Sequence, residues 1–373
     1  MGYATGIDYG KVRDAVILDG VNVVIWAFVD VVPKAEDRRR NSTTVGGSLR
    51  TDLDLGRIGS LILDLDADGF SHVVHLASLG GWNGPHLHRG LMSAVDWVAS
   101  WSASDASGIF HGIDWDFEGN DDRSSPSNYF DLNCLNGMGE ISRLMKVDGY
   151  AVTMAPPQSY LNFADPNFGR YVNATRDRGW HDDFGYFGNN VYAYLLDRYG
   201  PYIDLVSIQL YESYSDAAMS IHRDGTSPDD YLHSLVRNVA VAENMSFPVD
   251  FGRDPALAGS MGSSRRVRMD LDKLVIGLAN GWAFDSPDNR TLFVSAEDCR
   301  SAYLRLKDNP EEGYGDITPR GFMFWTIDER GRNGVYLARG IGEFLHTTRE
   351  SGGGGEGGNV QPIPSRPSSR VFR

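Results

Sequence analysis

"GIFHGIDWDFEGND", residues 108–121, carries Asp114, Asp116 and Glu118 at every second position, alternating with Ile113, Trp115 and Phe117. In an extended chain alternate side chains share a face, so one face of this segment is acidic and the other apolar. Carboxylates set side by side repel one another and lose hydration, which costs several kcal/mol unless protons, hydrogen bonds or a ligand compensate. Taken alone, the pattern is more often the solvated face of an edge strand. Its surroundings argue for a buried one.

Working outward, short apolar runs rich in β-branched residues recur at Val23–Val31, His72–Ser78, Gly112–Phe117, Tyr150–Ala155, Leu205–Tyr211, Leu274–Leu278 and Gly321–Trp325, with a first strand near Gly2–Thr5. Segments with helical spacing lie between them, among them "GLMSAVDWVASWSA" with a stripe of Leu91, Ala94, Val95 and Val98, "DDYLHSLVRNVAVAEN" and "AEDCRSAYLRLKDN". Strand and helix alternate, which predicts an α/β fold with a parallel sheet, and eight such units predict a closed (β/α)8 TIM barrel. Barrel strands are covered on both faces. The acidic side of 114–118 must then point into the barrel with Glu118 nearest the mouth, while Ile113, Trp115 and Phe117 meet the helices.

Residues 1–349 read as a single catalytic domain. The aromatic-, Asn- and Asp-rich segment Asn162–Ile203 is long for a βα connection and is expected as an excursion beside the mouth. Residues 350–373, "ESGGGGEGGNVQPIPSRPSSRVFR", read as a flexible Gly/Pro/Ser-rich tail or linker.

The 373 residues are 41% hydrophobic and 23% charged, ample for a large core. Fifty acidic against thirty-five basic residues leave a formal charge of -15, which disfavours nucleic acid and anionic membrane surfaces as partners. Cys134 and Cys299 are too few for a disulfide scaffold and lack zinc-site spacing. Whether they bond to each other is left open by the sequence. No phosphate loop, dinucleotide fingerprint or nucleophile elbow occurs, so no cofactor is expected. No metal is expected either: "HLH" at His86 and His88 has no designated third ligand. No apolar run reaches membrane-spanning length, and "MGYATG" lacks the regions of a signal peptide and suggests a trimmed longer parent. The sequons at Asn41, Asn173, Asn244 and Asn289 would permit glycosylation of a secreted eukaryotic protein.

"GIDWDFE" resembles the Asp-x-x-Asp-x-Asp-x-Glu signature on the fourth strand of glycoside hydrolase family 18, the chitinase-like barrels. "SLGG" (78–81) is similar to that family's third strand, "TMAPP" (153–157) to its fifth, "IQLY" (208–211) to its sixth and "GFMFW" (321–325) to its eighth. The likeness runs to about residue 345. It implies a retaining, substrate-assisted hydrolysis of β-1,4 linkages next to N-acetylglucosamine, in which the sugar's own acetamido oxygen attacks. It implies Glu118 as general acid and then base, with a pKa raised by burial and neighbouring charge. Asp116 would hold the acetamido N–H, Asp114 would share a proton with Asp116, and Tyr211 would donate to the acetamido oxygen.

Ser207, Gln209 and Tyr211 fall on one parity and are expected inside; so are Met154, Met323 and Trp325, and Trp26 and Phe28. Of these, Gln209, Met154, Met323, Phe28 and Trp325 are candidate substrate contacts, as is Trp82, since an indole face suits the C–H side of a pyranose. The family's first signature Asp is His111 here, on the opposite parity from Asp114. It is expected to pack behind the strand; the alternative is a protonated His111 that stabilises the acids.

The resemblance therefore implies a secreted, monomeric, endo-acting chitinase-like enzyme whose partner is chitin, chito-oligosaccharide or an N-glycan. The alternatives are an endo-β-N-acetylglucosaminidase of N-glycan cores and a non-catalytic chitin- or glycan-binding lectin. Loss of the acid marks such lectins, and Glu118 is present.

Overall fold

A computed structural model of the chain describes residues 1–32, 48–87, 93–172, 188–212, 215–285, 291–308 and 315–350. Eight strands run parallel: β1 (Gly2–Ala4), β2 (Val23–Val32), β3 (Val74–Gly81), β4 (Gly112–Phe117), β5 (Ala151–Met154), β6 (Leu205–Gln209), β7 (Leu274–Ala279) and β8 (Gly321–Trp325). β1 pairs with β2 on one side (Tyr3 opposite Ile25) and with β8 on the other (Gly2 opposite Phe324), which closes the sheet. This is the expected (β/α)8 barrel.

Alternation along each strand divides the core into two layers. Tyr3, Ile25, Leu76, Ala151, Leu205, Val275 and Met323 fill the interior. Val24, Ala77, Ile113, Trp115, Phe117, Val152 and Ile208 face outward and pack under the helices. Helices begin where a side chain can satisfy a free backbone N–H: Asp8, Asp54, Ser93, Asp131, Ser227 and Ser295 each cap one. Each such cap contributes about 1 kcal/mol.

The structure adjusts several expectations. β6 ends at Gln209, short of Tyr211, and β3 runs on to Gly81. In the helix Ala94–Ala103 the buried face is Trp97, Val98 and Trp101, and Val95 is 66% exposed. The two tryptophans, four apart, outweigh valine in apolar area and turn the helix toward themselves. Leu91 of the expected stripe lies outside the described residues, as do His88, Asn41, Asn173, Asn289 and the tail from 351.

The described parts of the excursion after β5 include the helix Ala193–Tyr199. Earlier in the excursion, a bidentate ion pair of Arg170 with Asp254 ties it to the segment after the strand Ser246–Val249 of an antiparallel pair. Cys134 and Cys299 are both free and buried. Among the described residues no helix is long and apolar enough to cross a membrane.

Candidate active site

The acidic face of β4 points into the barrel, and its members sit at three depths. Asp114 is fully buried and accepts three hydroxyls: Tyr3 Oη at 2.6 Å, Thr153 Oγ1 at 2.5 Å and Ser78 Oγ at 3.0 Å. Those donors come from β1, β5 and β3, so closure of the barrel itself supplies them. Asp116, one step higher, is 2% exposed and accepts Gln209 Nε2 at 2.8 Å. Gln209 is fixed in turn by donating to the Ala155 carbonyl at 2.7 Å. Glu118 lies just past the strand end and is half-buried at the mouth.

Burial dominates the electrostatics. It raises the Asp114 carboxyl, and the Thr153, Tyr3 and Ser78 hydroxyls oppose it. Asp116 is raised well above the carboxylate range, first by burial and then by the charges of Glu118 and Asp114. Glu118 is pushed up to about 8 by burial, against hydrogen bonds from Asp116 and Gln209. A hydrogen bond links the Asp116 and Glu118 carboxyls. Asp114, with its three hydroxyl donors, stands one step below this pair.

The mouth around Glu118 is aromatic. Trp325 is half-exposed and stacks on Phe28, with centroids 5.7 Å apart and planes at 17°, while Tyr3 packs against it at 5.2 Å. Met323 lies beneath in the interior layer. Tyr211 is close enough to Asp116 and Glu118 for their charges, after burial, to raise its phenol. Trp82 is half-buried with its indole N–H on Asp121 Oδ1 at 3.0 Å, and its ring edge lies over the Cα of Gly119. Gly81 has φ +78, and a Cβ there would meet the Phe28 ring at 2.5 Å. Gly80, at φ +111, would meet Phe117 at 2.5 Å and the Asp116 carbonyl at 2.7 Å. The paired glycines let β3 turn away while touching both β4 and the aromatic floor.

No family model and no curated protein sequence matches the chain. Solved structures do. A family GH18 chitinase from Chromobacterium violaceum aligns with TM-score 0.58 and 18% identity, over 93% of this chain and 83% of that one. The ChiA C-terminal domain of Legionella pneumophila gives 0.55 and 16%, over 94% and 98%. A fungal endo-beta-N-acetylglucosaminidase from glycosyl hydrolase family 18 gives 0.50 and 13%, over 92% and 96%. The fold is that of the family 18 barrels.

Within the barrel, one expected contact, Met154, and one expected inward residue, Trp26, are corrected. Met154 points outward into the layer beneath the helices, because its neighbour Thr153 takes the inward place opposite Asp114. Trp26 also points outward, donating to His75 Nδ1 at 3.2 Å and packing against Tyr9 at 5.8 Å. A register shift between Trp26 and Val29 breaks the alternation on β2 and leaves Ala27 and Phe28 on the inner side. His111 sits behind β4, accepting the His75 backbone N–H on Nδ1 at 3.0 Å, away from the acids.

Three residues around the acids escape sequence reading. Glu212, next to Tyr211, lies against the backbone of Gln158 and Ser159; its carboxyl is pushed up to about 8 by burial and by the charge of Glu118. Trp282, after β7, donates its indole N–H to the Trp325 carbonyl at 2.8 Å and meets Tyr211 edge-on at 6.3 Å. Tyr3 reads in the sequence as a strand residue with nothing to tie it to the site; its hydroxyl donates to Asp114 Oδ2. No group of three or more His, Cys, Asp or Glu suited to a metal ion occurs among the described residues.

Proposed function

We propose that the protein is a glycoside hydrolase that cleaves β-1,4 linkages of N-acetylglucosamine polymers or oligomers, with retention, by substrate-assisted catalysis. One observation carries this: a column of buried acids inside the barrel ends in a protonatable Glu118, half-buried at the mouth beside Tyr211, with Trp325 half-exposed against the same interior layer. Glu118 at about 8 keeps its proton at neutral pH, which suits a general acid.

In the proposed step the bond from the anomeric carbon to the leaving oxygen breaks as Glu118 transfers its proton to that oxygen. The acetamido oxygen forms the new bond to the anomeric carbon, with Tyr211 donating to it and Asp116 accepting the acetamido N–H. Water then adds to the same carbon, giving its proton to Glu118 and opening the cyclic intermediate with net retention. In this reading the aromatic faces of Trp325 and Trp82 cover pyranose C–H groups.

A chitin or chito-oligosaccharide substrate, endo action and secretion are part of this proposal. The acid itself argues against a silent lectin. The fungal endo-beta-N-acetylglucosaminidase among the similar structures supports N-glycan cores as the second reading. The test offers chito-oligosaccharides and N-glycoproteins to the intact protein in parallel. Release of short chito-oligosaccharides is expected, glycan release instead would establish the second reading, and turnover of both by Glu118→Gln at wild-type rates would refute the acid.

A further inference from the structure

β4 reaches the mouth with its last carbonyls running out of strand partners: β5 pairs with it only as far as Trp115, opposite Met154, and β3 ends at Gly81, opposite Phe117. Three donors from outside the sheet take over. Tyr192 Oη donates to the Phe117 carbonyl at 2.9 Å, His86 Nε2 to the Glu118 carbonyl at 2.6 Å, and the Asn83 backbone N–H to the Gly119 carbonyl at 3.0 Å. A carbonyl can only accept, so the His86 ring carries its hydrogen on Nε2.

The peptide planes on either side of the Glu118 Cα are rigid, and only φ and ψ between them are soft. Tyr192 anchors the preceding plane and His86 the following one. Together they fix both dihedrals and with them the direction of the Glu118 side chain. His86 is itself held: it is 1% exposed, stacked on Phe117 at 4.9 Å and 17°, and packed on Phe130 at 4.3 Å.

We infer that His86 is a positioning residue that aims the Glu118 carboxyl by anchoring the peptide plane that follows it. This assigns the first histidine of "HLH" a role that is not metal binding. It rests on reading Glu118 as the acid, and it concerns the backbone of that residue rather than contact with sugar.

The test compares full-length His86→Phe, which keeps the stack and loses the donor, with His86→Gln, whose side-chain amide reaches the same carbonyl. Two readouts are taken: kcat and KM on a chito-oligosaccharide, and the titration midpoint of the Glu118 carboxyl, followed by carbon NMR without ligand. The Phe variant is expected to lose about 10- to 100-fold in kcat with little change in KM, the scale of a slightly misplaced reacting group. Its Glu118 midpoint is expected to fall below the wild-type value as the freed carboxyl gains solvent. His86→Gln restores both. Wild-type kcat and midpoint in the Phe variant would overturn the inference, as would a Gln variant as impaired as the Phe variant. Should His86→Phe not fold, Tyr192→Phe removes one oxygen from the companion anchor and is expected to move both readouts the same way; unmoved values there overturn the inference. A wild-type protein without turnover would sink the proposed function alone, since the titration still decides the role of His86.

Discussion

Replacing Glu118 by Gln should make the protein more stable, by an amount that grows as pH rises from about 4.5 to about 8. Burial pushes the folded-state carboxyl from 4.5 up to about 8. Each tenfold change in proton affinity corresponds to about 1.4 kcal/mol, so ionising an isolated group this far displaced would cost the fold about 5 kcal/mol. Glu118 is half-buried, and solvent at the mouth screens this to roughly 3 kcal/mol. Because the folded pKa lies above the unfolded one, the folded state binds more protons between about 4.5 and about 8. The wild type is therefore most stable with respect to this group below about pH 4.5, and it loses that stability as pH rises toward 8. Gln does not titrate. Urea denaturation of wild type and Glu118→Gln at about pH 5, 7 and 9 should show near-equal stability at the lowest pH and a growing advantage of the variant above it. A stability difference that stays flat with pH would refute the claim that Glu118 ionises at the expense of the fold.

Other substitutions test the neighbours. In the wild type kcat/KM should fall as pH passes about 8; Glu212→Gln removes a carboxyl that repels Glu118 and should move that alkaline limb to lower pH, so an unmoved limb would detach Glu212 from the acid. Tyr211→Phe should lower kcat about 100-fold, the usual loss for one transition-state donor, with an unchanged thermal midpoint; an unchanged rate removes Tyr211 from the site. Trp325→Ala in the Glu118→Gln background should weaken chito-oligosaccharide binding about 10-fold by calorimetry, and unaltered affinity would mean that the ring is not the floor. Gly81→Ala should destabilise by about 2–4 kcal/mol in urea, from the left-handed backbone and the collision with Phe28; wild-type stability would contradict both.

How much of this is legible in the sequence follows from what fixes the phase of a strand. On β4 the carboxylates mark the inner face themselves, and the barrel interior is where they lie. On β6, Gln209 supplies the same mark, confirmed by its bond to Asp116. On β5 the mark is Thr153, whose hydroxyl is needed by Asp114, while the apolar Met154 next to it reads equally well as the inward residue. On β2 no single parity serves, because the register shifts after Trp26. Alternation is a local rule, and a bulge resets it without leaving a mark in composition. Glu212, Trp282 and His86 are beyond reach for a different reason. They stand past strand ends, where alternation no longer applies and loop closure decides which groups meet.

That distinction also explains how the acidic face is tolerated. At the bottom of the column, Asp114 is compensated by hydroxyls from three other strands, a solution available only once the barrel has closed. In the middle, Asp116 is compensated by an amide on one side and by a hydrogen bond with Glu118 on the other. At the top, Glu118 has a mobile proton, and its placement falls to the backbone anchors on either side of it. Fixed hydrogen bonding thus gives way to an exchangeable proton from the interior to the mouth. A group that must release and recover a proton has to sit at the open end of such a series, where it meets solvent.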